Sequence, residues 1–230
     1  MLGNLHSLHW RHESAIACFQ RALRLKPDWA AAWVLRGHEH VELKQTGLAV
    51  HAYRRSLASQ EREYRAWYGL GQAYELLKVP SRSLHYYRRA TLLQPHDARM
   101  WCAVASCLET LGAKREAVRA YARALESENT RDPLALARLA ALNTELGNVE
   151  QAAHYHKRHL DRRDEEQDDS QPTLEALLYL ANYCKNAAKY ADAAAYCSRL
   201  LDYPGKEKEE AKALLREIHA LQSEESADSM

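Results

Sequence analysis

The first candidates for metal chemistry are three histidines near the beginning of the chain. His6, His9 and His12 follow one another at i, i+3 and i+6, a spacing that could hold a metal ion from one helix. A structural zinc site needs four ligands. Apart from Glu13, no carboxylate or thiol at suitable spacing completes the set. We therefore expect no metal site and no cofactor.

A second group of histidines lies later in the chain. His154, His156 and His159 stand among Lys157 and Arg158. Three residues at these offsets do not share one face of a helix. The sequence favours a solvated surface for all three.

The five cysteines give no pattern for a disulfide framework or a zinc knuckle. Cys102 and Cys107 lie five residues apart, and an odd count without regular spacing suits a reducing compartment. Buried cysteines commonly act as small hydrophobic side chains, and this is our interpretation of Cys184 and Cys197. A search for a G-x-S-x-G elbow, a P-loop, an H-E-x-x-H motif or a Gly-rich dinucleotide turn finds none. The sequence therefore predicts a protein that is not an enzyme.

Arginines recur at one repeat position and could form a phosphate-binding stripe. Each one is expected near the end of a helix, where a cation complements the helix dipole. The chain has 32 Lys and Arg against 31 Asp and Glu, a balance that argues against nucleic-acid binding. We favour the structural role. The arginines are Arg21, Arg55, Arg89, Arg123, Arg158 and Arg199.

The elements that must position these residues follow from a 34-residue period. Few Gly and Pro in 230 residues indicate helices, and no apolar run approaches the ~20 residues of a membrane span. We expect no signal peptide. The periodic series are Trp33, Trp67 and Trp101, then Gly3, Gly37 and Gly71, and then Phe19, Tyr53, Tyr87 and Tyr121.

One stretch carries the signature of a known repeat. Trp67, Leu70, Gly71 and Tyr74 match the pattern W-x2-L-G-x2-Y, and Pro95 supplies its terminal proline. The chain thus resembles the tetratricopeptide-repeat (TPR) family. This resemblance implies an all-α superhelical solenoid of antiparallel helix pairs, in which stacking neighbours bury a continuous core.

The phase of the period predicts a single solenoid over residues 1–222. Because the first repeat starts in mid-helix, we expect a piece of a longer solenoid. We also expect an acidic loop at 161–173 and a disordered tail at 223–230. The predicted repeats are 1–29 (partial), 30–63, 64–97, 98–131, 133–166 and 174–205, followed by a capping helix at 206–222.

The inward positions of the first helices are polar, which predicts a peptide-binding groove. Asn4 and Gln72 offer amide groups that can hold an extended peptide backbone. Glu39 can accept an Arg or Lys of the ligand, and Tyr68 can cover an apolar side chain. The predicted groove residues are Asn4, His38, Glu39, Glu42, Arg65, Tyr68, Gln72, Glu75, Arg99 and Glu109.

Whole runs of the sequence agree with a narrower family. G-N-L-H-S-L, G-H-E-H-V-E-L-K, Y-R-A-W-Y-G-L-G-Q-A-Y-E-L-L-K, Y-Y-R-R-A and E-E-A-K-A-L-L-R-E-I resemble the C-terminal half of the eighth TPR subunit (Cdc23 type) of the anaphase-promoting complex. The resemblance covers about residues 2–222. It implies a non-catalytic scaffold in a ubiquitin ligase of the cell cycle and mitosis, found in nucleus and cytoplasm.

The resemblance also implies partners. In that family the groove receives the C-box of a coactivator, a motif of the Asp-Arg-[Phe/Tyr]-Ile-Pro type, and other subunits of the complex bind elsewhere. Asn4 and Glu39 match groove residues of that pocket, with Glu39 as the partner of the C-box arginine. The family dimerises through N-terminal repeats, so we expect this segment to be monomeric and the full-length protein to be a homodimer. The acidic loop at 161–173 departs from the family.

Two alternatives remain open. One is a general TPR adaptor for another partner, such as a chaperone tail, although a carboxylate-binding groove uses more Lys, Arg and Asn than Arg65 and Arg99 supply. The other is a repeat domain attached to a catalytic part that lies elsewhere in a longer chain. No nucleic acid and no membrane is expected as a partner in either case.

Overall fold

The described part of the chain is entirely helical. A computed structural model describes residues 2–126, 133–166, 171–203 and 205–228, which form thirteen helices and no strand. They fall into two compact units, residues 1–130 and 131–230. The predicted all-α TPR class is confirmed. In unit 1 the helices are α1 (Leu2–Leu8), α2 (His12–Leu25), α3 (Ala30–Glu42), α4 (Thr46–Ser59), α5 (Tyr64–Leu76), α6 (Pro80–Leu93), α7 (Ala98–Thr110) and α8 (Lys114–Leu125). In unit 2 they are α9 (Pro133–Glu145), α10 (Val149–Glu166), α11 (Gln171–Asn186), α12 (Tyr190–Leu200) and α13 (Lys206–Asp228).

Unit 1 is a stack of helix pairs. Each of its helices packs against the next one in the chain, and α3 also contacts α5. The first helices of neighbouring pairs therefore lie side by side, which is what a groove built from first helices requires. In unit 2, α9 to α13 also pack in chain order, and α13 contacts both α11 and α12.

Two predicted irregular segments are helical instead. α10 continues to Glu166 and α11 begins at Gln171, so residues 161–166 and 171–173 of the expected acidic loop belong to helices. Residues 167–170 lie outside the described residues. α13 runs to Asp228 and takes in most of the expected disordered tail, while 229–230 are not described. High charge predicted solvent exposure, but Arg, Glu and Gln are also good helix formers.

The glycine series leaves room for the aromatic series of the second helices. An ideal Cβ on Gly71 would lie 2.4 Å from Cδ1 of Tyr87, closer than side-chain atoms pack. A Cβ on Gly3 would meet Cε1 of Phe19 at 2.6 Å. The two series thus share a period because each glycine faces one aromatic ring.

Gly37→Ala is expected to lower the free energy of unfolding by about 1–3 kcal/mol, the usual cost of overpacking. The new methyl group would lie 2.5 Å from Cε1 of Tyr53, whose side chain is fully buried. The ring cannot retreat, because Gly69 of the next pair already approaches it so closely that a Cβ there would lie 2.4 Å from Cζ. Urea unfolding followed by circular dichroism measures the loss.

Gly47→Ala is the matched control for this substitution. Gly47 lies in α4, and nothing stands within 4 Å of its ideal Cβ. Alanine is the better helix former, so this variant should be as stable as the parent or more stable by up to ~1 kcal/mol. Equal stability of the two alanine variants would contradict the packing role of Gly37.

The arginine series contacts the tryptophan series. The guanidinium carbon of Arg123 lies 4.9 Å from the ring centroid of Trp101, and Arg89 lies 5.7 Å from that of Trp67. Each indole N–H is satisfied by a carbonyl six residues earlier: Trp101 donates to Pro95 at 2.8 Å. Cation–π contact thus joins the helix dipole as a reason for the repeated arginine.

The later histidines divide in a way that the sequence interpretation missed. His154 is exposed, as expected, but His156 and His159 are buried. Residues at i and i+3 share a helix face, and here that face of α10 packs on α11, where the His156 and Tyr179 rings lie 4.5 Å apart. The prediction of a solvated surface is therefore wrong for these two histidines.

Candidate functional site

A cavity of about 250 Å³ opens on the first helices of unit 1. Its lining comes from α3, α5, α7 and the turn that precedes α7. Five of the lining residues were predicted for the groove and three were not. The predicted ones are His38, Arg65, Tyr68, Gln72 and Arg99, and the others are Tyr64, Asp97 and Met100.

Two guanidinium–carboxylate pairs hold the charged groups of the cavity. Arg65 donates from Nε and Nη2 to the two oxygens of Glu63 at 2.8 and 3.1 Å. Arg99 donates in the same way to Asp97, at 3.2 Å from Nε and 2.8 Å from Nη2. Hydrogen bonding from each arginine lowers the pKa of its carboxylate below the ordinary value, so both pairs stay charged at neutral pH.

Local helix geometry places these pairs. Asp97 is the N-cap of α7, and its Oδ1 also accepts the backbone N–H of Arg99 at 3.0 Å, as short polar side chains do at this position. Glu63 precedes α5 at the same repeat position, 34 residues earlier. A guanidinium has five N–H donors, and each arginine uses two of them on its carboxylate. The remaining donors are available to a ligand.

The cavity has an aromatic and apolar wall beside these charges. Tyr68 lies 5.2 Å from the Tyr87 ring, and Met100 is 3% exposed. Burial raises the pKa of Tyr68, so its hydroxyl stays protonated and can both donate and accept. Gln72, on the same helix as Tyr68, adds an amide that can do the same for a peptide backbone.

Tyrosines from the second helices hold three predicted groove residues in place. Tyr87 Oη donates to Glu75 at 2.6 Å, and Tyr121 Oη donates to Glu109 at 2.8 Å. Tyr53 Oη lies 2.8 Å from His38 Nδ1. Burial, followed by the charge of Arg65, lowers the pKa of His38, and the neutral ring can accept from the Tyr53 hydroxyl. Glu75 and Glu109 do not line the cavity, although both are oriented by these contacts.

The structure corrects the predicted position of Glu39. Its side chain is only 5% exposed, and Oε2 lies 2.8 Å from Nδ1 of His12. Glu39 therefore joins α3 to α2 and is not an open acceptor in the groove. Asn4 and Glu42 are exposed on α1 and α3, but neither lines the cavity.

Three of the lining residues escaped the sequence interpretation, although a signal for one of them was present. Asp97 and Glu63 stand four residues before Trp101 and Trp67, and each is followed two residues later by arginine. A comparison of acidic positions at the 34-residue period would have found this pair. Tyr64 and Met100 have no counterpart of the same type in neighbouring repeats, so the period alone gives no hint of them.

Two other kinds of site were sought in the described ranges. There, no three His, Cys, Asp or Glu side chains lie close enough together to hold a metal ion. Across the same ranges, no helix has the length and apolar character to cross a membrane. The cavity thus offers fixed charges, an amide and an aromatic wall, which are the groups that recognise a short peptide.

Comparison with known proteins extends this description. Family profiles of the tetratricopeptide repeat match residues 1–28, 34–78 and 80–133, more than half of the chain. The chain is 52% identical over 220 residues to anaphase-promoting complex subunit 8 of Dictyostelium discoideum and 50% identical over 225 residues to that of Arabidopsis thaliana. These alignments cover 96% and 97% of this chain but 37% and 39% of the relatives. The resemblance found from the sequence is confirmed.

A solved structure supports the fold independently. PilF of Pseudomonas aeruginosa matches with a TM-score of 0.68, at 20% identity, over 95% of this chain and 94% of that protein. At this identity the likeness concerns the fold alone.

Proposed function

Because the chain belongs to the tetratricopeptide-repeat family and matches anaphase-promoting complex subunit 8 over almost its whole length, we propose that its groove binds the C-box of a coactivator. The chain acts as a non-catalytic scaffold segment of that ubiquitin ligase. Other subunits of the complex are its further partners, in cell-cycle proteolysis in nucleus and cytoplasm. The chain spans less than two fifths of the relatives it matches, so the activity of the whole protein belongs to this proposal.

The observation that carries the proposal is the cavity between α3, α5 and α7. An Asp-Arg-[Phe/Tyr]-Ile-Pro motif contains an anion, a cation, an aromatic ring and an apolar residue. The spare N–H groups of Arg65 and Arg99 can receive the aspartate by charge-assisted hydrogen bonds. Tyr68 and Met100 provide the surface for the aromatic side chain.

The C-box arginine requires a carboxylate, and the choice among those present follows from their partners. Glu63 and Asp97 are each held by two hydrogen bonds from their own arginine. Glu39 is held by one contact to His12, whose side chain is 16% exposed. A ligand guanidinium is always charged and can bind both carboxylate oxygens, so it can take the place of the imidazole at Glu39. Glu42, one turn along α3, adds negative charge beside it.

Glu39→Gln is expected to weaken binding of a fluorescent C-box peptide by about 1–3 kcal/mol, the scale of a hydrogen bond to a charged group. This corresponds to roughly a tenfold to hundredfold rise in Kd. Gln keeps the size of the side chain, so the helical circular dichroism should not change. Fluorescence anisotropy at constant ionic strength measures the binding.

The control is a peptide in which Ala replaces the arginine. It should bind the parent protein as weakly as the native peptide binds Glu39→Gln, and the variant should not weaken it further, because both changes remove one contact. Equal affinity of the variant and the parent for the native peptide would exclude Glu39 from the site. Failure of the parent to bind the native peptide would instead favour a general adaptor role.

A further inference from the structure

A second surface lies on the second helices of unit 1. Leu92, near the end of α6, is 74% exposed. It borders three neighbouring hollows of about 300, 350 and 520 Å³. A single exposed leucine is ordinary, but one shared by three hollows marks continuous apolar surface, and such surface marks interaction sites.

The largest hollow has a carbon-lined floor. Val104 and Leu108 of α7 lie at its base and are 2% and 4% exposed. Trp101 lines it beside Leu92, and the indole N–H is already satisfied by Pro95. The floor can therefore receive an apolar side chain without leaving a polar group unpaired.

The rim of this hollow is mainly cationic. Arg88, Arg119 and Arg123 face a single carboxylate, Glu116, which Arg88 contacts at 3.1 Å. The two smaller hollows add Arg62 and Arg89 against Glu61 alone. Five guanidinium groups thus surround Leu92 with two carboxylates, in a chain whose charges otherwise balance.

We propose that this surface, named here the Leu92 face, docks an acidic segment of a partner protein through one apolar anchor side chain. Charge complementarity selects an acidic partner and guides its approach. The apolar hollow supplies the central pocket that anchor residues fill at interfaces. A nucleic acid would also meet the arginines, but it has little use for a floor of Val, Leu and Trp. An acidic protein segment is therefore the better fit.

The Leu92 face is separate from the proposed C-box site. No residue lines both the groove cavity and any of the three hollows. The inference therefore does not depend on the proposed function, and each can fail without the other.

The test is a titration of the chain with a fluorescein-labelled octapeptide, Glu-Asp-Glu-Leu-Phe-Glu-Asp-Glu. The protein should bind it at least about tenfold more tightly than a version with Lys in place of the acids and one with Ser in place of Leu-Phe. Leu92→Asp and Arg119→Glu should each raise Kd by about tenfold or more. Affinity should also fall with salt, since exposed charges are screened.

Matched variants separate this result from general charge effects. Arg115→Glu makes the same change on an exposed position of α8, and Leu25→Asp makes it on an exposed leucine of α2. Both should bind the octapeptide as the parent does, and all four variants should keep the parent's melting temperature and C-box titration. The proposal is overturned by no saturable binding up to ~1 mM, the weak-affinity limit, or by equal losses in test and control variants. Tighter binding of a 20-nucleotide single-stranded DNA through Leu92 and Arg119 would overturn it as well.

Discussion

Tyr87→Ala is expected to lower the free energy of unfolding by about 3–5 kcal/mol, the range for aromatic side chains removed from a core. Tyr87 is 1% exposed, and its ring lies against the backbone of Gly71. It also lies 5.2 Å from Tyr68, so the loss opens a void beneath the cavity wall. Neighbouring helix pairs stabilise one another in a stacked array, and the damage should extend beyond one pair. Urea unfolding at pH 7, followed at 222 nm, measures it.

Tyr87→Phe separates the ring from the hydroxyl. Phe keeps the contact with Gly71 and loses the hydrogen bond to Glu75. Because Glu75 is exposed, we expect a loss of about 1.5 kcal/mol, the lower limit for a hydrogen bond to a charged group. If the Ala variant were no less stable than the Phe variant, the ring would not be a core residue and the assigned repeat phase would be wrong.

The fold could be predicted because repeated contacts leave repeated residues. Gly71 must be small where Tyr87 must be large, and the same need returns 34 residues away at Gly37 and Tyr53. Trp67 and Arg89 recur for a contact of their own. A period reports such pairs directly, without knowledge of the three-dimensional structure.

The site could be predicted only in part, because a period does not show which polar groups meet. Glu39 reads as an open carboxylate until the structure pairs it with His12, 27 residues away. Asp97 reads as an ordinary helix cap, yet it fixes the Arg99 guanidinium at the cavity. Helix phase gives the direction of a side chain, whereas its partner depends on how neighbouring pairs pack.

The buried histidines of α10 show the same limit and lead to a pH prediction. Burial, followed by the nearby His159, lowers the pKa of His156 from its ordinary value near 6.5 to about 4. Below pH 6.5 the unfolded chain takes up a proton at this residue, and the folded protein does so only near pH 4. The free energy of unfolding must therefore fall with decreasing pH, by ~1.4 kcal/mol per unit and about 3 kcal/mol over the window.

His156→Phe is expected to remove this part of the pH dependence. Phe can keep the contact with the Tyr179 ring, and Thr144 still donates to the Ala140 carbonyl. The difference in unfolding free energy between pH 7 and pH 4.5, from urea titrations, should be smaller than in the parent by most of that ~3 kcal/mol. His154→Phe, on the exposed side of the same helix, should leave the difference as it is, because that side chain is in water in both states. An unchanged pH dependence in His156→Phe would mean that His156 is solvated, as the sequence alone suggested.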